Sequence, residues 1–231
     1  MPLRALKKFA WPFWCIVLIA VMQHIYAVEK ALLINFNLFE RYIGQQAAAP
    51  VSVSSQWQAL LISASSLDIN GQLSAVNTFL HQSLTYMPDS TLYGVEDYWA
   101  SPAELFSRQQ GDCEDWAITS YISLRALGIP DAQLRLVYVR ARVGPENSGL
   151  SQAHMVLAYY PDTDAEPLII DSLIQNILPA SARTDLTPVF SFNSTGLWAG
   201  SGNQKSRQSA TARLSRWRDL VQRLERQGVI L

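Results

Sequence analysis

The sequence predicts an α+β fold in which a helix bearing a candidate nucleophile packs on an antiparallel sheet. Three observations carry that prediction. Cys113, Trp116, Ala117, Ser120, Leu124 and Leu127 recur at the i, i+3, i+4, i+7 spacing of an apolar helix stripe. Strand-forming runs follow at 134–141, 153–160 and 168–171, separated by turn-rich connections, which is the pattern of an antiparallel meander. The chain has 231 residues, is 49% hydrophobic and 16% charged, and holds 7 Trp, 9 Tyr and 8 Phe, enough apolar mass for one core. This composition excludes disordered and collagen-like architectures. With 18 Lys+Arg against 19 Asp+Glu the net charge is −1. A nucleic-acid partner is therefore not expected, because neutralising phosphates takes a positive excess.

Taken in order, residues 1–8 carry Arg4, Lys7 and Lys8 and no acid, and an apolar run of 14 residues, Phe9–Met22, follows. That run is shorter than the ~20 residues of a membrane-spanning helix. Small Ala27 lies two residues before Glu29, although Ile25 at the −3 position is not small. Residues 1–27 read as a secretory signal peptide or an uncleaved membrane anchor, and either one exports the rest of the chain. Cys15 is not a lipoprotein cysteine, since Phe13-Trp14 precede it. Residues 28–71 are mixed, and 47–55 read as a loop. Leu73, Val76, Phe79, Leu80 and Leu84 predict a helix over 72–84, broken at Tyr86-Met87-Pro88-Asp89-Ser90. An aromatic loop fills 91–111, with a short helix begun by Ser101-Pro102.

The central helix opens at Gly111-Asp112 and closes at Gly128, with Pro130 beyond it. The three predicted strands follow, and 179–204 read as loop from Pro179, Pro188, Gly196, Gly200 and Gly202. A protein domain is thus expected over 28–204 and a basic C-terminal helix over 205–231. The helical part, 205–227, holds 7 of the 18 basic residues, and Trp217, Leu220 and Leu224 form a narrow stripe along it. The stripe suits docking on the domain, and the charge suits an anionic membrane or an acidic partner.

Cysteine and histidine are scarce enough to count. With Cys15 in the leader, Cys113 is left alone and cannot close an internal disulfide. It is either a buried small hydrophobe or a reactive thiol. Of three histidines, His24 lies in the leader, His81 reads as a surface or packing residue on a helix, and His154 opens a strand. Pairing of 153–160 with 168–171 brings His154 and Asp171 to the same end of a hairpin. A thiol, an imidazole and a carboxylate in the order Cys113, His154, Asp171 are the parts of a nucleophilic triad. The run Asp112-Cys113-Glu114-Asp115 crowds three acids around that thiol, which raises its pKa against the helix dipole. Either Asp112 caps the helix and the others are solvated, or a cation offsets them, and carboxylate oxygens suit calcium. Asp162-x-Asp164-x-Glu166 lacks the Gly and Glu of an EF-hand loop, and no HExxH, CxxC, Walker, GxGxxG or GxSxG motif occurs.

Tyr98-Trp99-Ala100, Gly111-Asp112-Cys113-Glu114-Asp115-Trp116-Ala117, Leu134–Val139, Ala153-His154-Met155-Val156-Leu157 and Pro179–Asn193 together resemble the bacterial transglutaminase-like cysteine peptidases of the LapG type. The likeness covers about residues 55–200, with no departure at Asp112, Cys113, Glu114, His154 or Asp171. It implies a papain/transglutaminase-like fold and a periplasmic protease. Cys113 would be nucleophile, His154 base, Asp171 its orienting partner, and Asp112 and Glu114 ligands of Ca2+. It also implies, as substrate, a large calcium-binding adhesin cut near its N-terminus at a di-alanine site, which releases biofilm cells. The implied sequestering partner is an inner-membrane cyclic-di-GMP receptor. A transglutaminase-type acyl transferase and a non-catalytic peptide-binding module are alternatives on the same fold.

Overall fold

A computed structural model describes residues 32–46, 51–145, 147–162, 164–200, 202 and 205–231. The expected leader at 1–27, with Cys15 and His24, lies outside the described residues, as do 47–50 of the expected loop. Among the described residues no helix is long and apolar enough to cross a membrane.

The first described strand, β1 (Leu33–Ile34), leads into α1 (Phe36–Gly44), capped by Asn35 Oδ1, which accepts from Leu38 N. Helix α2 (Val51–Ala64) occupies much of the stretch expected as loop. Its serines are indifferent helix formers, but Val53, Trp57 and Ala64 all bury, so packing overrides local propensity. Trp57 meets the rings of Phe36, Phe39 and Phe106, and its Nε1 donates to Ser123 Oγ at 2.9 Å. Helix α3 (Ile69–Ser83) begins three residues before the expected Gln72, because Asp68 caps it by accepting from Gly71 N at 2.8 Å. The expected Leu73, Val76 and Leu80 form its buried face.

Strand β2 (Thr85–Tyr86), the single turn α4 (Asp89–Leu92) and helix α5 (Pro102–Arg108) follow. Ser101 and Glu104 close a capping box on α5, with Pro102 at its first position. Strand β3 (Gln110–Gly111) runs parallel to β2 and delivers the chain into α6 (Cys113–Ala126). A Cβ on Gly111 would lie 2.5 Å from Asp115 Oδ2 and from Leu105 Cδ1, so only glycine fits under the start of α6. The helix is buried nearly all round, and Gly128 (φ +93) ends it in the left-handed conformation.

The sheet comprises β4 (Leu134–Arg142), β5 (Ser151–Tyr159), β6 (Leu168–Ile170), β7 (Leu178–Pro179), β8 (Leu186–Phe192) and β9 (Leu197–Ala199). Their spatial order is β7-β6-β5-β4-β8-β9, antiparallel throughout. Met155, Leu157 and Tyr159 share the main core with α6, whereas Val156 and Ala158 join Val137, Val139 and Ile169 in a second apolar cluster. This is the expected α+β arrangement of a helix on an antiparallel sheet. Strands β8 and β9 correct the loop expected over 179–204. Pro188 argued against a strand, but the register shifts beside it, with Val139 opposite Pro188 and Tyr138 opposite Phe190. An irregularity of this kind is where a strand accommodates proline.

The tail forms α7 (Ala210–Arg213) and α8 (Ser215–Arg226) rather than one helix from 205, since Leu214 is extended between them. Trp217, Leu220 and Leu224 are fully buried, and the Trp217 ring lies 5.2 Å from Phe192 and 6.0 Å from Tyr121. Strand β10 (Val229–Ile230) then pairs with β1. The tail therefore completes the core around α6. Trp217→Ala is predicted to cost about 3–5 kcal/mol in urea unfolding at unchanged m-value. A cost below about 1 kcal/mol would show that the tail is an independent appendage.

Candidate active site

Cys113 is the first residue of α6 and is almost fully buried. Its placement depends on Asp115, which is itself inaccessible: Oδ1 accepts from Ala100 N at 2.7 Å and Oδ2 from Asp112 N at 3.3 Å. One carboxylate thus ties the start of α6 to the loop before α5. Cys113 Sγ donates to Glu114 Oε2 at 2.9 Å. Burial, then the Glu114 charge and this bond, push the Cys113 thiol far above its ordinary value. In this arrangement the sulfur is a thiol and not a thiolate.

The β5–β6 hairpin pairs Leu157 with Ile170, which leaves His154 on β5 and Asp171 just past the end of β6. His154 Nε2 lies 2.8 Å from Asp171 Oδ1, with both side chains buried. The same oxygen accepts from Leu173 N at 2.9 Å, and Asp171 Oδ2 accepts from Arg183 Nη2 at 2.7 Å. Burial pushes the Asp171 carboxyl up, but the His154, Leu173 and Arg183 bonds outweigh it, so the carboxyl lies below its ordinary range. An ionised carboxylate only accepts, so Nε2 of a neutral His154 carries the ring proton and Nδ1 is the free base. His81 is a packing residue, its ring 5.9 Å from Trp116 and its Nε2 3.1 Å from the Asp171 carbonyl oxygen.

Cys113 and His154 line one cavity of about 160 Å³ with Tyr86, Glu96, Asp97, Trp99, Asp112, Glu114, Tyr138, Ala153 and Met155. The fold thus brings His154 and Asp171 into direct contact and sets Cys113 in the same cleft as His154. A thiol and an imidazole in one cleft, the imidazole backed by a buried carboxylate, have the chemistry of a nucleophile, a base and an orienting group.

Asp112 does stand at the N-cap of α6, but the other acids are not solvated, which corrects that half of the simpler reading of the sequence: Asp112 and Asp115 are buried and Glu114 is partly so. Donor atoms of Asp112, Cys113 and Glu114 lie within 4.8 Å of one another, as do those of Asp89, Asp112 and Asp115, and of Asp89, Asp97 and Glu114. Asp89 Oδ1 and Asp112 Oδ1 are buried with no hydrogen-bond partner. Burial pushes Asp89 up to about 6, with Asp112 and Asp97 adding to it. Burial likewise raises Asp112, Glu114 and Asp115, and neighbouring acids add to the shift at each. Carboxylate oxygens left without donors in a field of their own sign fit a hard cation. Asp89 and Asp97 escape a reading of the sequence, because only the fold brings them beside residue 112. The signal available was two acids inside a Pro/Gly-punctuated aromatic loop, which is weak.

The tail reaches this cluster. Arg216 Nε pairs with Asp97 Oδ1 at 3.1 Å. Arg223 donates to Tyr98 Oη at 2.8 Å, to the Trp99 carbonyl at 2.6 Å and to Glu104.

Residues 45–194 match the family described as bacterial transglutaminase-like cysteine proteinase BTLCP. Among solved structures, Legionella pneumophila LapG is similar at 38% identity and a TM-score of 0.69, covering 84% of this chain and 99% of that one. The EGTA-treated form of that protein gives 38% and 0.70 over 84% and 100%, and its calcium-bound form 38% and 0.69 over 83% and 99%. No curated protein sequence matches the chain.

The raised acids set a pH dependence. A carboxyl whose folded-state pKa is about 6 against an ordinary 3.8 keeps a proton that the unfolded chain loses between those values. Metal-free protein is therefore predicted to lose stability as pH rises through that window. Asp89→Asn should raise its Tm at neutral pH by roughly 2–4 °C and flatten the dependence over that pH range. A metal-free Tm that climbs across the window, or that Asp89→Asn does not change, would refute this account of the cluster.

Proposed function

We propose that this chain, which belongs to the family of bacterial transglutaminase-like cysteine proteinases, is a calcium-dependent periplasmic endopeptidase. Its catalytic triad is Cys113, His154 and Asp171. The observation that carries this reading is the pairing of His154 Nε2 with Asp171 in a cleft that His154 shares with Cys113 at the start of a helix.

In the first step His154 Nδ1 takes the Cys113 proton and the sulfur attacks the scissile carbonyl carbon. The backbone N–H of Cys113, which has no acceptor inside its helix, faces the developing oxyanion. The C–N bond then breaks, and the imidazolium protonates the departing amine. Water, deprotonated by His154, hydrolyses the thioester and frees the sulfur. Asp171 stays ionised and holds the ring in the required tautomer.

Asp112 and Glu114, with Asp89 and Asp97 beside them, are the residues to hold calcium. The bound ion would neutralise the carboxylates that otherwise keep the thiol protonated. The calcium-bound form of the similar LapG supports this choice of ion. The leader at 1–27 supports export to the periplasm. The resemblance to LapG-type peptidases supports a large calcium-binding adhesin as substrate, cut near its N-terminus to release biofilm cells, and an inner-membrane cyclic-di-GMP receptor as the sequestering partner. A cavity of about 160 Å³ beside the sulfur suits small side chains such as those of a di-alanine site.

Incubating the purified protein and calcium with the N-terminal region of a large adhesin from the same genome tests the proposal. The expected result is a single cut whose new C-terminus is a free carboxylate even with amines present, which separates hydrolysis from acyl transfer. Cys113→Ala should lower the rate by about 10³-fold or more, and EGTA should stop turnover. Retained cleavage by Cys113→Ala would reject the triad, and full activity in excess chelator would reject the metal requirement.

A further inference from the structure

The carboxylate behind His154 is itself held, and by a residue outside the triad. Asp171 is 2% exposed, and both its oxygens are engaged: Oδ1 takes His154 Nε2 and Leu173 N, and Oδ2 takes Arg183 Nη2. Arg183 is 4% exposed and lies between β7 and β8. Its backbone is fixed on both sides, its N–H donating to Ala180 O at 3.0 Å and its carbonyl accepting from Leu186 N at 3.1 Å. The guanidinium forks onto Asp185, Nε to Oδ1 at 3.0 Å and Nη2 to Oδ2 at 2.8 Å, while Nη2 also reaches Asp171. A row of alternating charge and hydrogen bonds thus runs from His154 through Asp171 and Arg183 to Asp185.

We propose that Arg183 is a positioning residue: anchored on Asp185, its guanidinium pins the second oxygen of Asp171 and so fixes the plane in which His154 meets Cys113. The proposal rests on the triad reading above. A carboxylate held through Oδ1 alone can turn about its Cβ–Cγ bond, and the imidazole it directs turns with it. The second bond removes that freedom. The planar fork of arginine supplies two fixed donor directions at once, which a lysine ammonium does not. Stability alone is a poor reason for the arrangement, since a buried ion pair repays its desolvation only when its geometry is good. An ion pair aimed at the partner of a catalytic base has a directional task.

The test does not depend on knowing the substrate. Alkylation of Cys113 by iodoacetamide at neutral pH, in calcium-loaded full-length protein, reports how well His154 serves the sulfur. Proton NMR of the ring Nε2–H reports the His154–Asp171 bond. Arg183→Met should slow alkylation roughly tenfold and lose or broaden the downfield ring-proton signal. Arg183→Lys and Asp185→Asn, which retain part of the charge row and so protect folding, should fall between wild type and Arg183→Met. Circular dichroism confirms the fold of each variant, and if Arg183→Met does not fold, the other two decide. Combining Arg183→Met, or Arg183→Lys in its place, with Asp171→Asn should be no slower than Asp171→Asn alone, because Arg183 acts only through Asp171. Wild-type alkylation and an intact ring-proton signal in the folded Arg183 variants, with Asp171→Asn slowed, would overturn the proposal and leave the triad standing. An unchanged rate in Asp171→Asn would overturn the triad itself.

Discussion

Burying Asp112 and Asp115 with the partly buried Glu114 at the first turn of one helix, and Asp89 of α4 against them, is the constraint on which this structure turns. Each carboxyl is pushed toward its protonated form by loss of water and by the others, and two of their buried oxygens have no donor. The thiol in their midst is held protonated on Glu114. The dipole of α6, which alone would favour a thiolate at Cys113, is overridden first by burial of the sulfur and then by the acid beside it. A hard cation would reverse the sign of that field, and the proposed calcium site falls on the same residues that make the centre costly without one.

The remainder of the fold holds that arrangement in register. Gly111 leaves room for Asp115 beneath the helix start, and Asp115 in turn binds Ala100 N. Arg216 and Arg223 of the C-terminal helix hold Asp97, Tyr98 and Trp99 in place, while Trp217 packs on the side of the core that carries Phe192 and Tyr121. The basic tail thus braces two residues of the cleft wall, Asp97 and Trp99, without lining the cleft itself. On the other flank the β5–β6 hairpin sets His154 against Asp171, and Arg183 closes the far side of that carboxylate.

The parts of this architecture that a sequence displays are those that local rules determine. The stripe of α6, the Ser101-Pro102 start of α5 and the first two long strands depend on neighbours one to four residues away, and their residues announce them. Helix α2 does not: its serines are neutral, and only burial of Trp57 against α1 and α5 selects a helix. Strands β8 and β9 are hidden by Pro188, whose tolerance depends on a register shift against β4, and by Gly196 and Gly200, which flank β9. The candidate nucleophile, base and carboxylate could be singled out because cysteine and histidine are rare in this chain and a hairpin has a calculable end. Asp89, Asp97 and Arg183 are common residue types in loops, and their meaning lies in contacts that only the folded chain makes. The crowding of acids at 112–115 was legible as a puzzle, but its extent was not, since burial of Asp115 is a tertiary fact.

The most direct test of this account is calorimetric titration of calcium into the metal-free protein at about pH 6.5, in two buffers of different ionisation enthalpy, so that proton exchange is read independently of binding heat. If the cluster is a set of carboxyls kept partly protonated for want of a cation, calcium binds saturably and expels protons, and Asp112→Asn abolishes both effects. Saturable binding with no proton release, or no binding at all, would contradict the claim that the field around Cys113 is built for a metal ion.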